Sequence, residues 1–220
     1  MARIARVVAA GYPHHIIQRG NRRQQAFFAE GDYDEYLNLL KKYSNRFKVD
    51  ILAYCLMPNH IHLIVIPHKD GNLARAIGET HRNYTRFINF REKWRGYLWQ
   101  GRFSSYVLDE KYLLAATRYI LLNPVKAGIT KKPWDYKWAS TRHHMKIAND
   151  FLVKDSLLKG VIDNWKVFLD TSIDDNDANL IQLHERTGRP LGSNTFIEKL
   201  EFILKTNLKK KRAGRKKKEK

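Results

Sequence analysis

The 220-residue chain has a single cysteine, Cys55. No disulfide framework can form within it, and no zinc site built on thiolates is available. Such sparing use fits a reducing cytoplasm, which is the expected location. Nowhere do about 18 apolar residues run together, so no transmembrane helix is expected and a membrane is not an expected partner. The opening "MARIARVVAAGYPHH" has only a short apolar patch, less than the hydrophobic stretch of a signal peptide. There is no internal repeat of solenoid period. Acidic residues are scarce, 22 Asp and Glu against 41 Lys and Arg, for a formal net charge of +19. An excess of that size points to a polyanion, most simply a nucleic acid.

What is present is a core-forming composition, 43% hydrophobic and 12% aromatic. The positive charge is unevenly spread. "LKKKRAGRKKKEK" (208–220) has nine basic residues and one acidic, which still leaves the rest of the chain basic. No apolar side chain larger than alanine follows Leu208, so residues 208–220 are expected to be a disordered tail that adds salt-sensitive phosphate affinity.

Local patterning divides the chain into alternating elements. "HHIIQRG" (14–20) reads as a strand ending at the Gly20-Asn21 turn. "EGDYDEYLNLLKKYSNRF" (30–47) sets Tyr36, Leu39, Leu40 and Tyr43 on one face, with acids early and bases late, as a helix dipole favours. "VDILAYCLM" (49–57) and "HIHLIVI" (60–66) are strands broken at Pro58-Asn59. A helix is expected over 72–90, capped by Asn72. "GYLWQGRFSSYVL" (96–108) reads as a strand pair or a bent strand interrupted at Gly101. Asp109 then caps a helix that should stop before Pro124. The tight step between the strands at 49–66 leaves no room for a crossover. It favours an α+β fold, an antiparallel sheet of the split βαβ kind with helices on it. Domain boundaries are expected at 1–145, with 146–207 as a small helical C-terminal extension and 208–220 as the tail. In the extension, 161–169 reads as a short helix. Ser193 or Asn194 should cap a last helix, with Phe196, Leu200 and Phe202 or Ile203 inward.

"MPNHIHLIV" (57–65) raises the chemical question. Side chains alternate along a strand, so His60 and His62 share a face, about 6–7 Å apart at the backbone, and can chelate one metal ion. Imidazole suits divalent transition metals. Two half-buried histidines satisfied by hydrogen bonds are the plain alternative. On the helix after Asp109, Tyr112, Ala116, Tyr119 and Asn123 share a face. Tyr119 and Asn123 are one turn apart and can offer a phenolic and an amide oxygen to one spot. Tyrosine on an apolar helix is also an ordinary core residue.

"YCLMPNHIHLIVIP" and "YLLAATRYILLNPVKAGI" resemble the two signature segments of the single-tyrosine HUH transposases. "HHIIQRGNRRQQAFF" and "LWQGRFSSYVLDE" resemble that family's first strand and its strand before the last core helix. The resemblance spans about residues 10–145 and is closest to the REP-associated tyrosine transposases. It implies a ferredoxin-like antiparallel sheet. It also implies Tyr119 as nucleophile, and His60 and His62 as ligands of a divalent metal ion, Mg or Mn. Asn123 stands where the family often has a polar third ligand. The activity implied is DNA strand cleavage and rejoining through a covalent 5′-phosphotyrosine. The substrate would be single-stranded or hairpin DNA, with repeated palindromes a candidate target. The acting unit would be a monomer or a homodimer. Tyr112, two turns before Tyr119, is the rival nucleophile. Arg19, Arg22, Arg23, Arg82, Arg86, Trp99 and Arg102 are candidate DNA contacts, by phosphate pairing or base stacking. An HUH nickase for rolling-circle replication would share this chemistry. A non-enzymatic nucleic-acid-binding module of the same fold would leave the histidines and Tyr119 without a common purpose.

Overall fold

The computed structural model describes residues 6–154 and 157–209. Its elements are β1 (His14–Arg19), α1 (Glu30–Arg46), β2 (Val49–Met57), β3 (His60–Pro67), α2 (Asn72–Glu92), β4 (Ser104–Val107), α3 (Glu110–Lys126), α4 (Thr141–His144), α5 (Trp165–Asp170), α6 (Asp175–Thr187) and α7 (Asn194–Leu204). The four strands lie in the order β2-β3-β1-β4 and every neighbouring pair is antiparallel. This is the ferredoxin-like arrangement expected from the sequence. Each β-α-β unit has a strand of the other inserted in it, and α1 and α2 pack against each other on one face. Tyr36 Oη meets His81 Nε2 at 3.0 Å between these two helices, and Arg91 of α2 pairs with Asp32 of α1. Asp32 also caps α1, its Oδ2 accepting from the N–H groups of Phe28 (2.7 Å) and Ala29 (3.0 Å).

From Ile61 onward every residue of β3 is buried. A strand hidden on both faces needs a second covering layer. That layer is α3 together with α6 from the C-terminal extension. Ile181 and Ala178 of α6, and Leu191 after it, belong to the same core as the sheet. Leu191 N–H donates to Val107 O at 2.8 Å, and Asp109 N–H donates to Leu191 O at 3.1 Å. Among the described residues one core takes in side chains from both sides of position 145, and the C-terminal extension forms part of the wall over this face of the sheet.

Several local expectations change. The helix α2 starts at Asn72 itself. Its cap position is Gly71 with φ 76°, and no side chain caps it. Only 104–107 of the expected 96–108 strand region forms a strand, because Gly96 (φ 101°) and Gly101 (φ 66°) turn the chain out of extended geometry. Asp109 does cap α3, accepting from Tyr112 N–H at 2.9 Å. The helix nevertheless runs through Pro124, which removes one backbone donor, and its end is closed by Ala127 N–H to Asn123 O at 2.9 Å. The short helix expected at 161–169 forms at 165–170. Ser193 caps α7, and Leu200 faces inward, but Phe202 (86% exposed) and Ile203 do not. Leu208, expected to open the tail, is buried against Val7, Ala9, Val107 and Leu200. Residues 210–220 of that expected tail lie outside the described residues. No helix among the described residues is long and apolar enough to cross a membrane.

Candidate active site

Strand register assembles the site. Ile17 pairs with His62 and Arg19 with His60 across β1–β3, while His15 pairs with Tyr106 and Ile17 with Ser104 across β1–β4. Directly paired residues share a face, and so do residues two apart. One face of the sheet therefore presents His15, Ile17, Arg19, His60, His62, Ser104 and Tyr106. The helix α3 sets Tyr119 over it, with ring centroids 5.9 Å from His62 and 6.5 Å from His15. The helix α6 closes one side with Gln182 and Glu185. Between them lies a cleft of about 660 Å³ whose lining includes Arg19, Arg23, Arg102, Tyr119, Gln182 and Glu185.

One assignment of the ring protons satisfies every contact in the chain from Ile181 to His62. Ile181 O can only accept, so Tyr106 Oη donates to it (3.4 Å). The Tyr106 oxygen then accepts from His15 Nδ1 at 2.7 Å. Burial pushes His15 down to about 3, so its ring is neutral and in this assignment its Nε2 accepts from His62 Nδ1 at 2.9 Å. That leaves a lone pair on His62 Nε2, the form of imidazole that binds a metal. His62 itself is held well below the usual histidine range, first by burial and then by the proximity of His60, His15 and Arg19. His60, at the mouth, bonds through Nδ1 to Asn59 Oδ1 at 2.6 Å, so its Nε2 is free as well. Burial, then Arg19, pushes it down to about 4. The two imidazole centroids are 4.9 Å apart.

A carboxylate adds to the set. Glu185 Oε1 is buried with no hydrogen-bond partner. Asn123 Nδ2 is likewise unpartnered, but it is a donor, and Asn123 is not among the residues that line the cleft. His15, His62 and Glu185 each offer one ligand atom, all within 4.8 Å of one another, a group of the kind that holds a metal ion. In this assignment of protons both His15 nitrogens are engaged. That leaves the His62 Nε2 lone pair beside the unpartnered Glu185 oxygen, with the His60 ring centroid 4.9 Å from that of His62, as the set that fits a divalent cation. Burial pushes Glu185 up to about 7, against the pull of Arg19 and Arg186. Tyr119 is pushed up to about 12, by burial and then by Glu185, while a Gln182 hydrogen bond and Arg19 work the other way. By itself this environment makes the phenol a poorer nucleophile than in water. Added positive charge would reverse that.

The other candidates fall in several places. Tyr112 is half-buried beside Lys111, packed against the core, and does not line the cleft. Arg19, Arg23 and Arg102 line it, and Arg22 is exposed next to Arg23. Arg82 is exposed on α2 and pairs with Glu79. Arg86 lines a separate groove at the end of α2. Trp99 is only 6% exposed and packs on His81, Tyr84, Tyr36 and Phe27, so its ring has no free face for a base. Sequence reasoning missed His15, Tyr106, Gln182 and Glu185. His15 carried a weak signal, a histidine on an alternating strand. The rest carried none, since nothing local says which segments the fold will bring to β1.

Residues 9–123 match the sequence profile of a family described as "Transposase IS200 like". A Haemophilus influenzae protein (strain ATCC 51907 / DSM 11121 / KW20 / Rd) named "Putative REP-associated tyrosine transposase" is 31% identical over 127 residues, 52% of this chain and 72% of that one. A solved structure of a REP-associated tyrosine transposase bound to a REP hairpin superposes with a TM-score of 0.57 at 22% identity. It covers 70% of this chain and 90% of its own. At that identity the structural likeness is one of fold.

Proposed function

The chain belongs to the IS200-like transposase family and is a transposase that acts in DNA transposition; from that premise we propose that it cuts and rejoins one DNA strand through a covalent bond to Tyr119. The observation that carries this reading is the meeting of Tyr119 with His62, 5.9 Å between rings, over a cleft lined by arginines. The substrate is single-stranded or hairpin DNA. The net charge of +19 supports a nucleic-acid partner, and the solved relative of the same fold is bound to a hairpin.

The chemistry follows from the residues. Arg19, Arg23 and Arg102 pair with phosphates and seat the strand in the cleft. The phenolic oxygen of Tyr119 attacks the phosphorus, the bond from phosphorus to the 3′-oxygen breaks, and the 3′-oxygen leaves as a hydroxyl. The 5′ phosphate stays on Tyr119 as a phosphotyrosine diester. A second 3′-hydroxyl reverses the step and releases the tyrosine. One ester is exchanged for another, so rejoining needs no nucleotide cofactor. His60 and His62, with an oxygen from Asn123 or Glu185, would hold a divalent cation, Mg or Mn, and that ion would supply positive charge against the charge developing on the phosphate.

The test is a 3′-labelled hairpin oligonucleotide incubated with the protein and Mn²⁺, then run on a denaturing gel. A labelled band at the mass of protein plus the downstream fragment is expected. Cleavage without any protein-linked fragment would overturn the covalent step, since a water-driven nuclease leaves none.

A further inference from the structure

One part of the surface is aromatic and uncovered. Phe90 is 91% exposed, Tyr97 87% and Trp94 46%, with Phe87 and Phe28 each more than a third exposed. All but Phe28 fall within residues 87–97, the last turns of α2 and the turn after it. Single exposed apolar residues are ordinary, but a rimmed group of them marks a contact surface. Phe87, Phe90 and Trp94 line one groove of about 820 Å³, together with Arg86, Lys93 and Arg95, and no carboxylate lines it. The nearest acid in sequence, Glu92, is taken by Arg91 at 2.6 Å.

The turn is held in place, so these rings are presented by a built scaffold. Trp94 N–H donates to Asn89 O at 2.9 Å, and Asn89 Nδ2 donates to Gly96 O at 3.0 Å. The Trp94 indole stands edge-on to Phe28, 5.4 Å between centroids. Ring faces fixed in advance cost little ordering when something stacks on them. The same segment continues through Tyr97 to Gln100 and Arg102, which line the Tyr119 cleft, and Gln100 N–H is tied to Arg19 O at 2.8 Å. The groove and the cleft are thus joined by one short stretch of backbone.

Exposed aromatic rings beside Arg86, Lys93 and Arg95, none of which pairs with a carboxylate among the described residues, suit one ligand class, a nucleic-acid strand whose bases are unpaired. Bases stack on the rings while phosphates meet the cations. A duplex offers the phosphates but not the base faces. We propose that the end of α2 is a second DNA site, which holds unpaired nucleotides flanking the segment seated in the Tyr119 cleft. This rests on the reading of that cleft as the DNA-cutting site.

The experiment uses the full chain and two labelled DNAs, a blunt hairpin and the same hairpin with a single-stranded flank, with affinity read by fluorescence anisotropy. Wild type is expected to bind the flanked DNA more tightly. Phe90→Ala and Trp94→Ala should each weaken binding to flanked DNA by about 5- to 100-fold. Affinity for the blunt hairpin and the melting temperature should stay unchanged, and Phe90→Trp should keep the flank preference. Equal affinity of the alanine variants and wild type for flanked DNA would overturn the proposal, as would an equal loss for both DNAs. Self-association of wild type that Phe90→Ala abolishes, with flank preference intact, would assign the face to a second copy and overturn it too. Wild type binding neither DNA would sink the reading of the cleft itself, and this site with it.

Discussion

At the scale of the residue, the site depends on two hydroxyl groups with different duties. The Tyr119 oxygen is the proposed nucleophile, and the ring around it is packed with only 8% exposed. Tyr119→Phe keeps that packing and removes only the oxygen. We expect the covalent adduct to vanish on the denaturing gel, while affinity for the hairpin stays within about twofold of wild type, the size of an ordinary surface change. An undiminished adduct would pass the role to Tyr112. The Tyr106 oxygen acts at one remove. In the assignment that satisfies every contact it accepts from His15 Nδ1 and so keeps His15 Nε2 an acceptor for His62. Without it His15 is free to take the other tautomer and donate to His62 Nδ1, which would move the His62 proton onto the nitrogen meant for metal. Tyr106→Phe should therefore weaken Mn²⁺ binding by about tenfold, the usual cost of losing an outer-shell partner. Calorimetric titration with Mn²⁺ reads this directly. Metal-free hairpin binding should not change, and an unchanged Mn²⁺ affinity would show that the chain of bonds does not set the tautomer.

At the scale of the element, α1 and α2 are joined by Asp32 and Arg91. Burial raises the Asp32 carboxyl, but the Arg91 guanidinium and the Phe28 and Ala29 N–H groups outweigh it and hold the group below its ordinary value. A depressed carboxyl stabilises the fold above the pH at which it ionises in the unfolded chain, about 3.9, and that contribution is lost as pH falls through the lower folded value. Asp32→Asn should cost about 1–3 kcal/mol at neutral pH, as a broken buried charged hydrogen bond does. The gap in melting temperature between variant and wild type should narrow below about pH 4. A gap independent of pH would mean that Asp32 acts by shape and not by charge. The sequence showed α1 as an amphipathic helix with acids in its first turn. It did not show that one of those acids caps the helix and grips the next one, because Arg91 is 59 residues away.

At the scale of the whole molecule, the charge and the extension behave differently from each other. Residues 210–220 hold eight Lys and Arg against one Glu. Deleting them should weaken binding to all DNAs alike and flatten the dependence of affinity on salt, because fewer counterions are released per complex. Filter binding from about 50 to 200 mM salt measures the slope. A loss of preference for one DNA over another would instead make the tail a reader of sequence. Residues 146–207 are not removable in that way. Ile181 and Leu191 are core, and Gln182 and Glu185 line the cleft.

Local chemistry was enough to place the sheet, α1, α2 and α3, the shared face of His60 and His62, and the turn that separates Tyr119 from Asn123. Each of these rests on a period of two or of about 3.6 residues, on a capping side chain, or on charge, all of which are properties of neighbours in the chain. The register of β1 on β3 and β4, which adds His15 and Tyr106 to the histidine face, was not legible. Neither was the docking of α6, which brings Glu185 to the same cleft. Nor was the burial of Trp99, which turns an expected DNA contact into core. Those outcomes depend on which distant apolar surfaces cover one another, and burial has no direction that a single segment can encode.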